Sequence, residues 1–103
     1  MKVRLGDYLI EVITIQVLAK KCGIAVTTFR KHMVRGNIPD ANIRTPDIVR
    51  ADKKIAGTRL YSLFLAEKLS EIFKGISMGK KITDAQKLTI NLAFREEREK
   101  YKI

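Results

Sequence analysis

The chain has 103 residues, of which 46% are hydrophobic, so it can form one small domain with a modest core and is too apolar to be disordered. Its formal charge is +10 and its isoelectric point is near 10.0. Residues 20–59 contain ten Lys or Arg against three Asp. This concentration of positive charge favours an anionic polymer as the partner over a basic surface that is merely solvated.

Several classes of protein are disfavoured by what the sequence lacks. No apolar run approaches the roughly 20 residues that span a bilayer, and the N-terminus has no signal-peptide core. The single Cys22 cannot form an internal disulfide, and one Cys with one His cannot build a zinc site. There is no Gly-rich phosphate loop, no pair of carboxylates and no nucleophile beside a base. We therefore expect a cytoplasmic protein that is not an enzyme and needs no metal, cofactor or membrane, with Cys22 serving for packing and not for redox sensing.

Residues 1–13 are predicted to form a β-hairpin, because Gly6 and Asp7 suit a two-residue type II′ turn. One face of this hairpin is apolar, and we expect it to cover the core. The alternative is that Lys2 and Arg4, on the other face, contact phosphates. The expected register pairs Lys2 with Glu11, Val3 with Ile10, Arg4 with Leu9 and Leu5 with Tyr8.

Residues 15–39 have the spacing of a helix-turn-helix. A short helix is predicted from Ile15 to about Lys21, with Thr14 as its capping residue. The chain breaks at Cys22-Gly23, where Gly23 suits the left-handed residue that ends a helix. A second helix is predicted from about Val26 to Arg35.

The second helix has two faces of different chemistry. Val26, Phe29 and Met33 follow helical spacing and are expected to face the core. His32 lies at the boundary of the two faces, where packing or a phosphate contact would both be possible. A short helix with an apolar back and a polar, cationic front has the size and chemistry to lie in a DNA major groove. The front carries Thr27, Thr28, Arg30, Lys31 and Arg35.

The stretch from Pro39 to Ala56 is polar and broken. Two short extended segments, near Asn42–Arg44 and Arg59–Tyr61, are expected to pair as the hairpin of a wing. The long connection between them carries Arg50, Lys53 and Lys54. It would either reach neighbouring phosphates or remain a solvated loop.

Two further helices complete the chain. Ser62 is expected to cap a third helix, whose apolar stripe is interpreted as core and alternatively as a partner surface. Thr83 and Gln86 form a capping box for a last helix, from Asp84 to about Lys100. The final residues, REEREKYKI, are expected to form a charged surface turn or frayed tail. The residues expected to share one core are Leu18, Val26, Phe29, Met33, Leu60, Leu65 and Leu69.

The run AKKCGIAVTTFRKHMVRGNIP, residues 19–39, together with GTRLYS, residues 57–62, resembles the winged helix-turn-helix domains of the MerR and phage-excisionase type. In that family a Thr, an aliphatic residue and an Arg open the recognition helix, and the wing closes with Gly-x-Arg-x-Tyr-Ser. The resemblance covers residues 14–72. The matching residues are Thr28 and Arg30 in the first motif, with the aromatic Phe29 at its aliphatic position, and Gly57, Arg59, Tyr61 and Ser62 in the second.

This resemblance implies a winged helix-turn-helix domain at 14–76. Together with the hairpin predicted at 1–13 and a C-terminal helix at 82–103, a candidate dimerisation element, we expect an α+β, mainly α fold. In the family, the Arg and Tyr of the wing motif contact phosphates, which implies that role for Arg59 and Tyr61. The predicted DNA-binding residues are Thr27, Thr28, Arg30, Lys31, Arg35, Lys53, Lys54, Arg59 and Tyr61.

The function implied is sequence-specific binding of double-stranded DNA, by a transcriptional regulator or by an architectural factor in excision, partition or packaging. MerR regulators dimerise through a long C-terminal helix. The last helix here is shorter, which favours a small phage or plasmid protein, nucleoid-associated in a bacterial or phage-infected cell, that forms a homodimer or assembles side by side on DNA. The alternative is a protein-interaction adaptor that keeps the fold without binding DNA.

Overall fold

The computed structural model of the chain describes residues 2–45, 48–55, 57–76 and 81–103, with the backbone alone described at 48–50 and 53–55. Within these ranges there are four helices, a four-stranded antiparallel sheet and a separate two-stranded hairpin, so the predicted α+β class is confirmed. The strands are β1 (Lys2–Leu5), β2 (Tyr8–Thr14), β3 (Ile43–Arg44), β4 (Ile48–Arg50), β5 (Lys53–Ile55) and β6 (Arg59–Ser62). The helices are α1 (Ile15–Lys21), α2 (Val26–Val34), α3 (Leu63–Lys74) and α4 (Asp84–Tyr101).

The N-terminal hairpin has the predicted register in all four cross-strand pairs. Gly6 has a φ of 57° and Asp7 does not have a positive φ, which is the pattern of a type II′ turn. The apolar face covers the core as expected, because Ile10 is buried and Val3 and Leu5 pack against its cluster. Beyond the hairpin, β2 pairs with β6, and the sheet order is β1-β2-β6-β3. The hairpin is therefore an integral part of the main sheet.

The helices α1 and α2 have nearly the predicted bounds, and the four residues between them form a tight turn. Gly23 adopts a φ of 75°. The Ile24 N–H donates to the Ala19 carbonyl at 3.0 Å, which closes a Schellman motif and satisfies the end of α1. Thr14 is the N-cap residue of α1, but its side chain makes no capping hydrogen bond, so that detail of the prediction is wrong.

The predicted pairing of the two extended segments is confirmed by β3 and β6. The connection between them contains the hairpin of β4 and β5, and is not the irregular loop that we expected. Ala51 and Asp52 form its two-residue turn with φ values of 46° and 64°, the backbone of a type I′ turn. The pairs between β3 and β6 are Ile43 with Leu60 and Arg44 with Arg59.

Two hydrophobic clusters form the interior. The helical cluster contains side chains from all four helices together with Tyr61, whereas the sheet cluster consists of side chains from the strands themselves. Leu60 belongs to the sheet cluster, so the prediction that it shares one core with the helices is wrong. Consecutive residues of a strand point to opposite faces, and Leu60 and Tyr61 therefore enter different clusters. The sheet cluster consists of Ile10, Val12, Ile43 and Leu60.

The caps of α3 and α4 are as predicted. The Ser62 Oγ accepts from the Leu65 N–H at 3.2 Å. The Thr83 Oγ1 accepts from the Gln86 N–H at 3.2 Å, and the Gln86 side chain accepts from the Thr83 N–H at 2.9 Å. These bonds satisfy donors that a helix start would otherwise leave unpaired.

The last helix packs on α3 and supplies Ile90, Ala93 and Phe94 to the helical cluster. Glu97 is fully buried on the same stripe, although we expected this part of the chain to be a charged surface. The stripe of α4 that faces inward is therefore used within the chain itself.

Candidate nucleic-acid interface

The outward side of α2 presents the polar and cationic residues that the sequence predicts there. Thr27, Thr28, Arg30, Lys31 and Arg35 are all exposed, and we call them the α2 cationic face. Four of them line one shallow depression together with Val34, which is 89% exposed. The structure thus brings this set of predicted site residues together on one surface.

The cations of this region have no acidic partner among the residues that the structure describes. Residues 12–39 contain five Lys or Arg and no Asp or Glu. Within the described part of the chain, no ion pair involves any of these five residues. Their charge is therefore available to an external anion, since no carboxylate in the described part of the chain pairs with it. The five residues are Lys20, Lys21, Arg30, Lys31 and Arg35.

The α2 cationic face is held in place by the side chain directly behind it. Phe29 is fully buried, with its ring centroid 6.1 Å from that of Tyr61 and 6.4 Å from that of Phe73. Gly36 ends the helix with a φ of 79°, and the next residue, Asn37, donates its N–H to the His32 carbonyl at 2.9 Å. Aromatic packing and a closed helix end therefore fix the orientation of α2.

His32 packs at the edge of the helical cluster. Its ring lies 6.4 Å from that of Phe73, and its Nδ1 is 3.3 Å from the Asn37 Nδ2. Burial lowers the pKa of His32 below its ordinary value, and the charge of Arg35 lowers it further. This environment stabilises a neutral, packed imidazole, which favours the packing interpretation over a phosphate contact.

A second basic site lies where β3 and β6 pair. Arg44 and Arg59 stand directly opposite each other, and we call them the arginine pair. Both donate to the carboxylate of Asp40, from the Arg44 Nη2 to Oδ2 and from the Arg59 Nε to Oδ1, each at 2.6 Å. Partial burial would raise the pKa of Asp40, but hydrogen bonds from Arg59, the Ala41 N–H and Arg44 outweigh it and hold that pKa below its ordinary value.

Tyr61 is not on the surface. It is 0% exposed, and its ring packs edge-on against Phe29 and Phe94, with centroid distances of 6.1 and 6.4 Å. Its hydroxyl lies 4.0 Å from the Met33 sulfur, and burial raises its pKa to about 12. The predicted phosphate contact of Tyr61 disagrees with this placement, because a buried hydroxyl cannot reach a ligand unless the core opens.

The remaining residues of the predicted wing lie near a point where two backbone segments approach closely. A Cβ added to Gly57 would lie 1.7 Å from the Thr45 carbonyl oxygen, so only glycine fits there. The adjacent Thr58 donates its N–H to the Thr45 Oγ1 at 2.7 Å and accepts from the Thr45 N–H at 3.0 Å. Lys53 and Lys54 begin β5 in the hairpin that departs from this point, and their backbone is the part described.

Sequence reasoning missed the buried carboxylate of Glu97. Its Oε2 accepts from the Ser62 N–H at 3.0 Å and from the Ser62 Oγ at 2.6 Å. Its Oε1 accepts from the Asn42 Nδ2 at 3.0 Å. These bonds join α4 to the start of α3 and to the segment before β3. Glu97 stands seven residues after Ile90 and three after Phe94, and this helical spacing was the signal that could have revealed it.

Cys22 is a packing residue, as expected. It lies in the helical cluster. Burial raises the pKa of its thiol to about 11, despite the opposing effect of the charge of Lys21. A thiol that remains protonated at neutral pH is a poor nucleophile.

Comparison with protein-family models, with curated proteins and with solved structures found no match for this chain. Across the described residues, no three His, Cys, Asp or Glu side chains come together as a metal site would require. None of the described helices is both long and apolar enough to cross a bilayer. The function is therefore inferred from the geometry and charge of the chain itself.

Proposed function

We propose that the chain is a sequence-specific double-stranded DNA-binding protein of the winged helix-turn-helix type, with α2 as its recognition helix. The observation that supports this most strongly is the α2 cationic face. It combines Arg and Lys side chains that form no ion pair with any described residue with two Thr hydroxyls, on a helix fixed from behind by Phe29. Unpaired cations attract phosphates, and Thr and Arg side chains are suited to hydrogen bonds with base edges.

The dimensions of α2 fit this role. Its nine residues give a length of about 14 Å at 1.5 Å per residue. The major groove of DNA is about 12 Å wide and admits one helix of this kind. Thr27, Thr28 and Arg30 lie in the first half of α2, the part of a recognition helix that reaches base edges in many helix-turn-helix proteins. Lys31 and Arg35 lie further along and supply positive charge.

The wing has a supporting role in this proposal. Lys53, Lys54 and Arg59 belong to strands that follow the β3 segment, and such strands can lie along the phosphate backbone. Tyr61 is left out, because it is buried. The resemblance of the two motifs to MerR and excisionase proteins supports the same arrangement and a role in transcription or in excision, partition or packaging of DNA.

We further propose that two copies assemble on DNA, as a homodimer or side by side, because one short helix reads only a few base pairs. The inward stripe of α4 is already used within the chain, so contacts between copies would use its outward residues. Leu88 and Leu92 are exposed on α4, one helical turn apart, and are the apolar side chains available for this contact. The mass of the complex on a single duplex, measured by light scattering, tests this assembly.

Selection of bound duplexes from a random pool, followed by titrations at several salt concentrations, tests the central proposal. The wild-type protein should prefer one sequence over a scrambled duplex, and its affinity should fall as salt rises. Arg30→Ala should weaken binding to the preferred duplex by about 1–3 kcal/mol and relax the preference at one base position. Arg95→Ala is the matched control, because it removes the same charge from an exposed position on α4.

Two results would contradict the proposal. One is a wild-type protein that binds no duplex even at low salt. The other is an equal loss in the two variants, which would mean that net charge and not the α2 cationic face determines binding. The first result would favour the alternative, a protein-interaction adaptor.

A further inference from the structure

We propose that the arginine pair is a binding site for one DNA phosphate, and that Asp40 is an internal anion that occupies this site in the absence of DNA. The proposal rests on the proposed function, since it names a further contact and a regulating residue of the same DNA-binding surface. Neither Arg44 nor Asp40 was predicted from the sequence to take part in binding.

The first observation is the position of the two arginines. Arg44 and Arg59 are direct cross-strand partners, and like charges in that position repel each other. Their guanidinium groups turn towards one point, where the Asp40 carboxylate accepts from both at 2.6 Å. The fold therefore contains two converging cations with an anion between them.

The second observation is accessibility. The side chains are 40% exposed in Arg44, 41% in Arg59 and 56% in Asp40. An ion pair this exposed contributes little to stability, because water solvates both partners well. Asp40 can therefore leave the arginine pair without disturbing the core of the protein.

The third observation concerns the chemistry of the site. A guanidinium group donates two parallel N–H bonds, and both carboxylates and phosphates accept them. A phosphodiester presents two non-bridging oxygens, as Asp40 presents Oδ1 and Oδ2. The internal carboxylate is therefore a chemical substitute for a backbone phosphate.

The location of the site agrees with this substitution. Asp40 lies in the segment that joins α2 to β3, six residues after the end of the helix. Arg44 ends β3 and Arg59 begins β6, so both stand where the hairpin of β4 and β5 departs. In the proposed DNA complex, a phosphate beside the recognition helix would meet the arginine pair between the helix and the wing.

The competition has a consequence for specificity. A phosphate that enters the arginine pair must displace Asp40, so this contact adds less affinity than two free arginines would. Phosphate contacts carry no direct sequence information. By weakening such a contact, Asp40 lowers affinity for all duplexes and leaves a larger share of the binding to the α2 cationic face.

The test is Asp40→Asn in the full chain, with Glu99→Gln as the matched control. Glu99→Gln makes the same change in net charge at an exposed position on α4. Asp40→Asn should bind a scrambled duplex about threefold to tenfold more tightly at low salt, with a log–log salt slope steeper by about one unit. Adding Arg44→Ala to this variant should remove the gain. The proposal would be overturned if the Asp40→Asn protein were folded and bound the duplex no more tightly than the control.

A second measurement needs no change at Asp40. In the wild-type protein, the Arg59 Nε–H resonance should shift when a duplex is added, as its partner changes from carboxylate to phosphate. An unmoved Arg59 resonance beside a shifted Arg30 amide would overturn the proposal while leaving the proposed function intact.

Failure of the proposed function itself is recognised separately, as a wild-type protein that binds no duplex. The anion site is then tested with inorganic phosphate alone. Phosphate should shift the Arg59 Nε–H resonance of Asp40→Asn at a lower concentration than that of the wild type. Equal responses of the two proteins would overturn the site.

Discussion

The two basic surfaces of this protein differ in whether their charge is available. On α2, Arg30, Lys31 and Arg35 lie in a stretch without acidic residues and form no ion pair with any described residue. On the sheet, Arg44 and Arg59 share the carboxylate of Asp40. Counting cations along the sequence treats these surfaces as equal, whereas the structure makes one an open positive face and the other a partly neutralised one.

The difference indicates how the two surfaces would act on DNA. An open cationic face gains from every phosphate that it meets, and its fixed helix can also present side chains to bases. The arginine pair gains less binding free energy from a phosphate, because the displacement of Asp40 offsets part of it. We therefore expect α2 to dominate both affinity and specificity.

The largest effect on stability is expected where the α2 cationic face is attached to the core. Phe29→Ala removes a fully buried ring and should destabilise the protein by about 3–5 kcal/mol. Val34→Ala is the control on the same helix, because Val34 is exposed and its loss should change stability by less than about 0.5 kcal/mol. Chemical denaturation measures both. Equal stabilities of the two variants would show that α2 does not depend on Phe29 for its position.

The next largest effect on stability is expected in the sheet, where Gly57 lies against Thr45. Gly57→Ala places a methyl group against the Thr45 carbonyl, so the backbone must move, at a cost of about 1–3 kcal/mol. Gly75→Ala is the matched control, because its added Cβ would meet the Ile72 carbonyl oxygen at 3.5 Å, an ordinary van der Waals contact. The melting temperature of Gly57→Ala should fall and that of Gly75→Ala should hardly change. A Gly57→Ala protein of unchanged stability would contradict the close approach of the two backbones.

A third prediction compares the two surfaces directly on DNA. Arg30→Ala should cost about 1–3 kcal/mol on the preferred site and relax the preference at one base position. Arg59→Ala should weaken binding to preferred and scrambled duplexes alike and lower the salt slope by one unit at most, since Asp40 already neutralises part of its charge. Titrations of both duplexes over a salt series measure the two losses. Full affinity of Arg59→Ala on both duplexes would remove the wing from the interface.

Much of the fold was predictable because its signals are local. Gly23 ends one helix, Thr83 and Gln86 start another, and Gly6 sets the hairpin register. Each of these signals acts within a few residues, where the chemistry of a short segment decides the backbone. The turn at Ala51 and Asp52 was missed because its local signal is absent: neither residue is the Gly or Asn that normally marks a type I′ turn.

The errors in the candidate site arise from contacts between residues distant in sequence. Tyr61 is buried because β6 lies inside the sheet, between β2 and β3, with α1 and α3 against it. The partnership of Asp40 with Arg59 spans 19 positions, and that of Glu97 with Ser62 spans 35. A motif identifies residue types, but only the assembled sheet determines which of them remain exposed.

The smallest predicted effect is a pH dependence of stability. It arises from His32, which lies at the boundary between the α2 cationic face and the core. The folded pKa of His32 lies below its unfolded value of about 6.5, because burial and the nearby charge of Arg35 disfavour the protonated ring. Below pH 6.5 the unfolded chain therefore binds more protons than the folded one, and stability should fall as the pH decreases through the folded pKa. Denaturation curves between pH 7.5 and 5.5 should show this loss, and His32→Gln should reduce it. Stability that rises as the pH decreases would mean that His32 gains an anionic partner, and the α2 surface would then not be free of internal acids.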